Sequence, residues 1–137
     1  MSIETLQIHT IIGYTNYVKI SNPTASKGED IAAEFLQKKG YKILERNFRK
    51  KYGEVDIIAL HQNVLIFIEV KTRSSSQFGT GFEAITSSKL QSIINTAQLY
   101  KSMHSRLPES LRIDAISVLL TWRGELEEIE HMENLTG

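Results

Sequence analysis

Between Gly53 and Arg73 two apolar runs flank a short polar break. The first run is Gly53-Glu54-Val55-Asp56-Ile57-Ile58-Ala59-Leu60, the break is His61-Gln62-Asn63, and the second run extends from Val64 to Arg73. This pattern predicts a β-hairpin. Val64-Leu65-Ile66-Phe67-Ile68 is unbroken hydrophobe, as expected of a central strand buried on both faces. Yet Glu69 and Lys71 close that run, and Asp56 sits inside its partner. Charges in a core strand are costly unless they are paired or bound to a metal. A chain that keeps three of them at the centre of its sheet has a use for them there.

Strand geometry makes the conflict specific. Side chains alternate along a strand, so Glu69 and Lys71 share one face and Val70 takes the other. With a four-residue turn from His61 to Val64, Asp56 falls opposite Glu69. An odd-length turn would put the two acids on opposite faces, and the even register is the expected one. Directly opposed side chains have Cβ atoms about 5 Å apart, and like charges so placed repel. Two converging carboxylates need a cation, and Lys71 supplies only part of it. An oxygen-only ligand set without Cys or His suits Mg²⁺ or Mn²⁺.

An Asp followed at a distance by Glu-x-Lys on a hairpin resembles the PD-(D/E)XK nuclease signature of the restriction-endonuclease-like fold. The fuller string, Gly53-Glu54-Val55-Asp56 with Ile68-Glu69-Val70-Lys71-Thr72-Arg73, is similar to the YraN-like family, small bacterial predicted nucleases related to archaeal Holliday-junction resolvases. Val55 stands where the signature has Pro, a departure the family shares. The likeness runs from about Ala25 to Met132. It implies an α/β fold in which helices flank a mixed sheet in the order α-β-β-β-α-β. It also implies a Mg²⁺- or Mn²⁺-dependent DNA endonuclease of repair or recombination, and the resolvase likeness points to branched DNA as its substrate. Asp56 and Glu69 would hold the metal with help from Glu29, and Lys71 would orient the attacking water or neutralise charge. Resolvases act as symmetric dimers, which makes a homodimer the oligomer to look for.

Whole-chain properties leave few other classes open. At 137 residues one domain is expected, with residues 1–24 as an extension and 25–137 as the folded unit. There is no cysteine, which excludes disulfides, thiolate chemistry and Cys-based zinc sites. No apolar run approaches the ~20 residues of a membrane span, and no basic-then-apolar leader opens the chain. A cytoplasmic protein is the default. Formal net charge is zero, but all five charged residues after Arg123 are acids: Glu125, Glu127, Glu128, Glu130 and Glu133. Residues 1–124 therefore carry sixteen bases against eleven acids, a net +5, which leaves room for a basic face.

The segments around the hairpin supply further candidates. Residues 1–24 are rich in β-branched and aromatic side chains, and read as an added edge strand or a poorly ordered tail. Ser26 to Lys39 reads as an amphipathic helix, with Ala32, Ala33 and Leu36 inward and Glu29 among them. Glu29 has two readings. It closes a capping box with Ser26, or, as the resolvase likeness implies, it completes the metal site. Tyr41 to Arg46 reads as a strand, and Arg46, Arg49, Lys50 and Lys51 as a basic turn, either solvated or in contact with phosphates. Ser74 to Gly81 reads as a loop after the Glu-x-Lys strand.

Ser87 to Met103 reads as a second helix capped by Ser87 or Ser88, with Leu90, Ile93, Ile94, Ala97 and Tyr100 as its buried stripe. Lys89 near its start, like Arg73 at the end of the strand, is a candidate for the DNA backbone or, in the case of Lys89, an ordinary snorkelling lysine. Arg112 to Leu120 reads as a strand, with Asp114 ordering a neighbouring group rather than binding metal. Leu126 to Met132 reads as an edge strand whose acids discourage pairing. Two functions outside the nuclease class fit the same chain: a nucleic-acid-binding module without cleavage, and a scaffold in which the charges form a buried salt bridge.

Overall fold

The computed structural model describes side chains over residues 23–74 and 85–137, and the backbone of two further strands, β1 (Thr5–Ile11) and β2 (Tyr14–Ile20). These two pair antiparallel as a two-stranded sheet of their own, so the N-terminal segment adds no strand to the main sheet. The expected loop after Ser74 falls largely outside the described residues.

The main unit follows as α1 (Pro23–Lys38), β3 (Lys42–Lys50), β4 (Gly53–His61), β5 (Val64–Ser74), α2 (Ser87–Met103), β6 (Leu111–Leu120) and β7 (Leu126–Met132). The stretch from α1 to β6 has the α-β-β-β-α-β order of a restriction-endonuclease-like core, in an α/β fold. Sheet order is β3-β4-β5-β6-β7. The sheet is mixed: β5 and β6 are parallel, and every other neighbour is antiparallel. A parallel pair needs a long crossover, and α2 provides it.

Each helix covers one face of the sheet. Ala32, Ala33 and Leu36 of α1 pack with Ile57, Ala59, Ile66, Ile68, Ile116 and Val118. Ile93, Ala97 and Tyr100 of α2 pack with Phe48, Val55, Ile58, Leu65, Phe67 and Ile113. Leu65 through Ile68 alternate between these two cores and are fully buried, which explains the unbroken apolar run. Gly28 lets α1 approach β5 closely: a Cβ there would overlap the side chain of Thr72.

Three local expectations are corrected. The helix α1 begins at Pro23, because Pro is well tolerated at the first helical position. Ser26 is thus already inside the helix and Glu29 lies in its second turn, so they form no capping box. The strand β3 runs on through Arg46 and Arg49 to Lys50 instead of stopping at Arg46. Phe48 anchors that extension in the α2-side core, and the turn shrinks to Lys51-Tyr52. Finally, α2 is capped by Thr86, whose hydroxyl accepts the Lys89 N–H at 3.1 Å, and not by Ser87 or Ser88.

Candidate active site

The site begins where the β4–β5 ladder ends. The hairpin turns through Gln62 and Asn63, both at positive φ (49° and 61°), the geometry of a two-residue type I′ turn. Pairing then runs from His61↔Val64 to Ile57↔Ile68, the even register expected from the sequence. Asp56 and Glu69 are the next pair in that register, but the ladder stops before them. There Asp56 Oδ2 accepts the Val70 N–H at 2.7 Å, so a side chain takes the place a strand carbonyl would otherwise hold.

Both strands beside this point are irregular. Val55 packs in the α2-side core and Ile57 in the α1-side core, so strict alternation fails across Asp56. In β3, Asn47 has a φ of 54°; the flanking Arg46 turns toward α1, and Phe48 toward α2. The β3–β4 register itself is unbroken here, its one shift lying earlier, between Ile43 and Glu45.

Electrostatics at the acid pair is unfavourable to two negative charges. Burial, then the neighbouring Asp56, push the Glu69 carboxyl up to about 8, against the opposing pull of Lys89 and Lys71. Burial also raises Asp56, although the Val70 N–H stabilises its charged form. The negative charge of Asp56 thus weighs against ionisation of Glu69 beside it. Lys89 Nζ lies 3.8 Å from Glu69 Oε1. Glu69 Oε2 is buried and has no hydrogen-bond partner. A proton or a cation between the two acids resolves the arrangement.

Glu29, on α1, is near enough to Asp56 to feel its charge. Its carboxylate lies 3.8 Å from Arg46 Nη2 and is hydrogen-bonded by Asn47. Burial, then the negative charge of Asp56, raise its pKa, and Arg46 and Asn47 oppose that rise. Among the described residues no three acids or histidines converge as a metal-binding group. Glu29 is carried by α1 on one face of the sheet, whereas Glu69 meets Lys89 of α2 on the other. Carboxylate oxygens such as those of Asp56 and Glu69 are donors of the type that suits Mg²⁺.

The basic residues fall into two groups. Arg46 pairs with Asp30 at 2.9 Å and so is turned toward α1. Arg49 pairs with Glu54 across the β3–β4 ladder at 2.7 Å, Lys50 lies over the Phe48 ring and Lys51 over the Tyr52 ring. Arg49, Lys50, Gly53, Glu54 and Lys89 line an open groove of about 360 Å³. Through Lys89 that groove adjoins Glu69. Lys71 and Arg73 follow Glu69 on β5, half-buried. Sequence reasoning missed Asn47; an Asn between two apolar-facing strand segments was the available signal for a positive φ.

Asp114 lies elsewhere, fully buried on β6. It accepts from Arg112 (2.9 Å), His131 (2.9 Å) and the Asn134 N–H (3.0 Å). Burial alone would raise its pKa, but these donors outweigh burial and hold it below the usual range. It orders the C-terminal segment, as its sequence context led one to expect.

The model of the uncharacterised protein family UPF0102 matches residues 28–118. The chain belongs to this family. UPF0102 is the YraN-like group, and the matched span includes Glu29, Asp56, Glu69, Lys71, Lys89 and Asp114. The UPF0102 protein of Caldanaerobacter subterraneus subsp. tengcongensis is 45% identical over 118 residues, 85% of this chain and 97% of its own. That of Geobacter metallireducens is 41% identical over 109 residues, 80% of this chain and 88% of its own. A UPF0102 protein of Clostridium botulinum is 50% identical over 98 residues, 69% of this chain and 78% of its own. Among solved structures, Pyrococcus furiosus SfsA in complex with Ca²⁺ aligns with 97% of this chain and 77% of its own, with a TM-score of 0.39 and 17% identity. Among the described residues no helix is long and apolar enough to cross a membrane.

Proposed function

We propose that this UPF0102 protein is a divalent-metal-dependent DNA endonuclease of the cytoplasm. The observation that carries the reading is the buried Glu69 beside the half-buried Asp56, with Glu69 Oε2 left without a hydrogen-bond partner. A structural salt bridge has no need of two acids facing each other beside one half-buried lysine. In this reading Asp56 and Glu69 hold Mg²⁺ or Mn²⁺, which supplies Lewis acidity toward a phosphodiester and acidifies water. Asp56 is fixed for that task by the Val70 N–H. Lys71, on the same face as Glu69, stabilises negative charge on the phosphoryl group. Lys89, 3.8 Å from Glu69 Oε1, offsets the charge of Glu69 and would meet a phosphate from the groove it lines. Glu29 acts from outside the pair, holding Arg46 and adding negative potential near Asp56. Arg49, Lys50 and Lys51 line the approach of the DNA backbone.

Cleavage of a labelled panel of duplex, single-stranded, flap and four-way-junction DNA in Mg²⁺ or Mn²⁺ tests this. Glu69→Gln protein, purified identically, is the control. Wild-type cleavage absent from the variant supports the reading. Equal cleavage by both defeats it.

A further inference from the structure

The end of the sheet beyond Glu69 carries two exposed aromatic side chains, each with a cation over its ring. One is Trp122 in the β6–β7 turn, 73% exposed, with the Arg123 guanidinium 4.8 Å from its ring centre. The other is Tyr52 in the β3–β4 turn, 52% exposed, with Lys51 Nζ at 5.9 Å.

Register puts both turns at one end. Glu69 pairs with Ala115 and Ser74 with Leu120, so Trp122 lies just past the last residues of β5. Gly53, at the other turn, pairs with Lys50 where β4 begins. The two turns are about three inter-strand spacings apart, or ~15 Å, with β5 between them. From Glu69 to the end of β5 is five residues, roughly 17 Å, about five nucleotide steps along a strand.

The neighbourhood of Trp122 is positive. Lys27 Nζ of α1 reaches the same turn, close to Gly124, and Arg73 pairs with Leu119 three residues before Trp122. Glu125 is the nearest acid along the chain. The acids Glu127, Glu128 and Glu130 lie on β7, which runs antiparallel to β6 and so away from the turn. A large exposed indole with cations beside it is the arrangement on which unpaired bases stack, their phosphates held by the basic groups. A base inside a duplex offers no such face.

We propose that Trp122, with Arg123 and Lys27, is a stacking platform for unpaired bases, and that the substrate of the Asp56–Glu69 site carries a single-stranded segment on the β6 side. This rests on the nucleic-acid reading above and adds the class of substrate.

Trp122 is the only tryptophan in the chain, so its emission reports directly on the platform. The full chain is titrated in EDTA and low salt, where no cleavage occurs, with fluorescein-free oligothymidylate and with a blunt duplex of equal length. Saturable quenching by the single strand, and much less by the duplex, is expected. By anisotropy of a labelled oligothymidylate, Trp122→Ala weakens binding about tenfold and Trp122→Phe retains most of it. Binding by anisotropy with unchanged Trp122 emission, and equal affinity of Trp122→Ala, overturns the platform and leaves the nuclease reading intact. Emission that shifts with protein concentration alone, together with a dimer that Trp122→Ala abolishes, assigns the surface to a second copy and also overturns it. Absence of all nucleic-acid binding by a folded protein removes both the platform and the reading beneath it.

Discussion

The Asp56 carboxylate holds the Val70 N–H at 2.7 Å at the point where the pairing of β4 with β5 has ended. One side chain thereby closes a gap in the sheet and is fixed beside Glu69. Burial and the Glu54 charge favour the protonated form of Asp56, while the Val70 N–H and Lys89 favour the charged one. Glu69, pushed up to about 8 by burial and by Asp56, keeps its proton at neutral pH.

That placement sets a pH dependence. Glu69 has a folded pKa of about 8 against an ordinary value of 4.5, so between these values the folded state binds more protons than the unfolded one. Stability of the metal-free protein therefore falls as pH rises from about 4.5 to 8. Glu69→Gln should abolish most of that slope and be the more stable protein at pH 9 in EDTA. Thermal unfolding of both proteins across this range is the check. Mg²⁺ should raise the wild-type melting temperature more at pH 8 than at pH 6, because it competes with the proton.

Lys89 offsets part of the repulsion at Glu69. Lys89→Met should move the steep part of the stability profile to higher pH, since Glu69 then holds its proton more tightly. In metal-free protein at pH 9 the substitution should destabilise. A Lys89→Arg protein should stay near wild type in this readout, which separates charge from the shape of the side chain.

Asp114 predicts the opposite sign. Its pKa is depressed by His131, Arg112 and the Asn134 N–H against the effect of burial. Its contribution is complete above the ordinary carboxylate range and is lost as pH falls through its folded value. Asp114→Ala should cost about 3 kcal/mol at pH 7, since it strands a partly buried guanidinium. The wild-type advantage over Asp114→Ala should shrink in acid, measured by denaturant titration at several pH values.

Gly28 and Thr72 couple α1 to the strand that bears Glu69. Although Ala favours helices over Gly by nearly 1 kcal/mol, Gly28→Ala should destabilise by about 1–3 kcal/mol through overpacking. Thr72→Ala removes the atoms in the way. The double variant should be more stable than the sum of the single effects predicts, and a double-mutant cycle measures the difference.

Much of this architecture was legible in the residues. Apolar runs of Val, Ile and Leu on either side of His61-Gln62-Asn63 fixed a hairpin, and the alternation rule then demanded an even register, which the structure has. The span of α2 was equally plain from its stripe, and β7 from its acids. Asp56 was harder, because its role depends on a ladder that stops one pair early, and nothing in Val55-Asp56-Ile57 announces the break. Asn47 hides for a similar reason: a positive φ is an option for any Asn, and only the surrounding strands select it. Ser26 looks like a cap from sequence, but Pro23 favours the first helical position and starts the helix three residues earlier. The partner of Glu29 is decided by which face Arg46 occupies, beside the positive-φ backbone of Asn47.

The early end of the β4–β5 ladder also leaves β5 unequally secured along its two edges. Pairing with β6 continues through Ser74 on one edge, whereas regular pairing with β4 stops at Ile68 on the other. Amide groups alternate between the two edges, and Val70 marks the β4 side. Deuterium uptake should therefore alternate along Glu69 to Arg73: slow at Glu69, Lys71 and Arg73, whose amides face β6, and faster at Thr72, which faces the open edge. The strand behaves as a beam clamped along one side. Its less secured side can yield while the hydrophobic layers behind it stay in place.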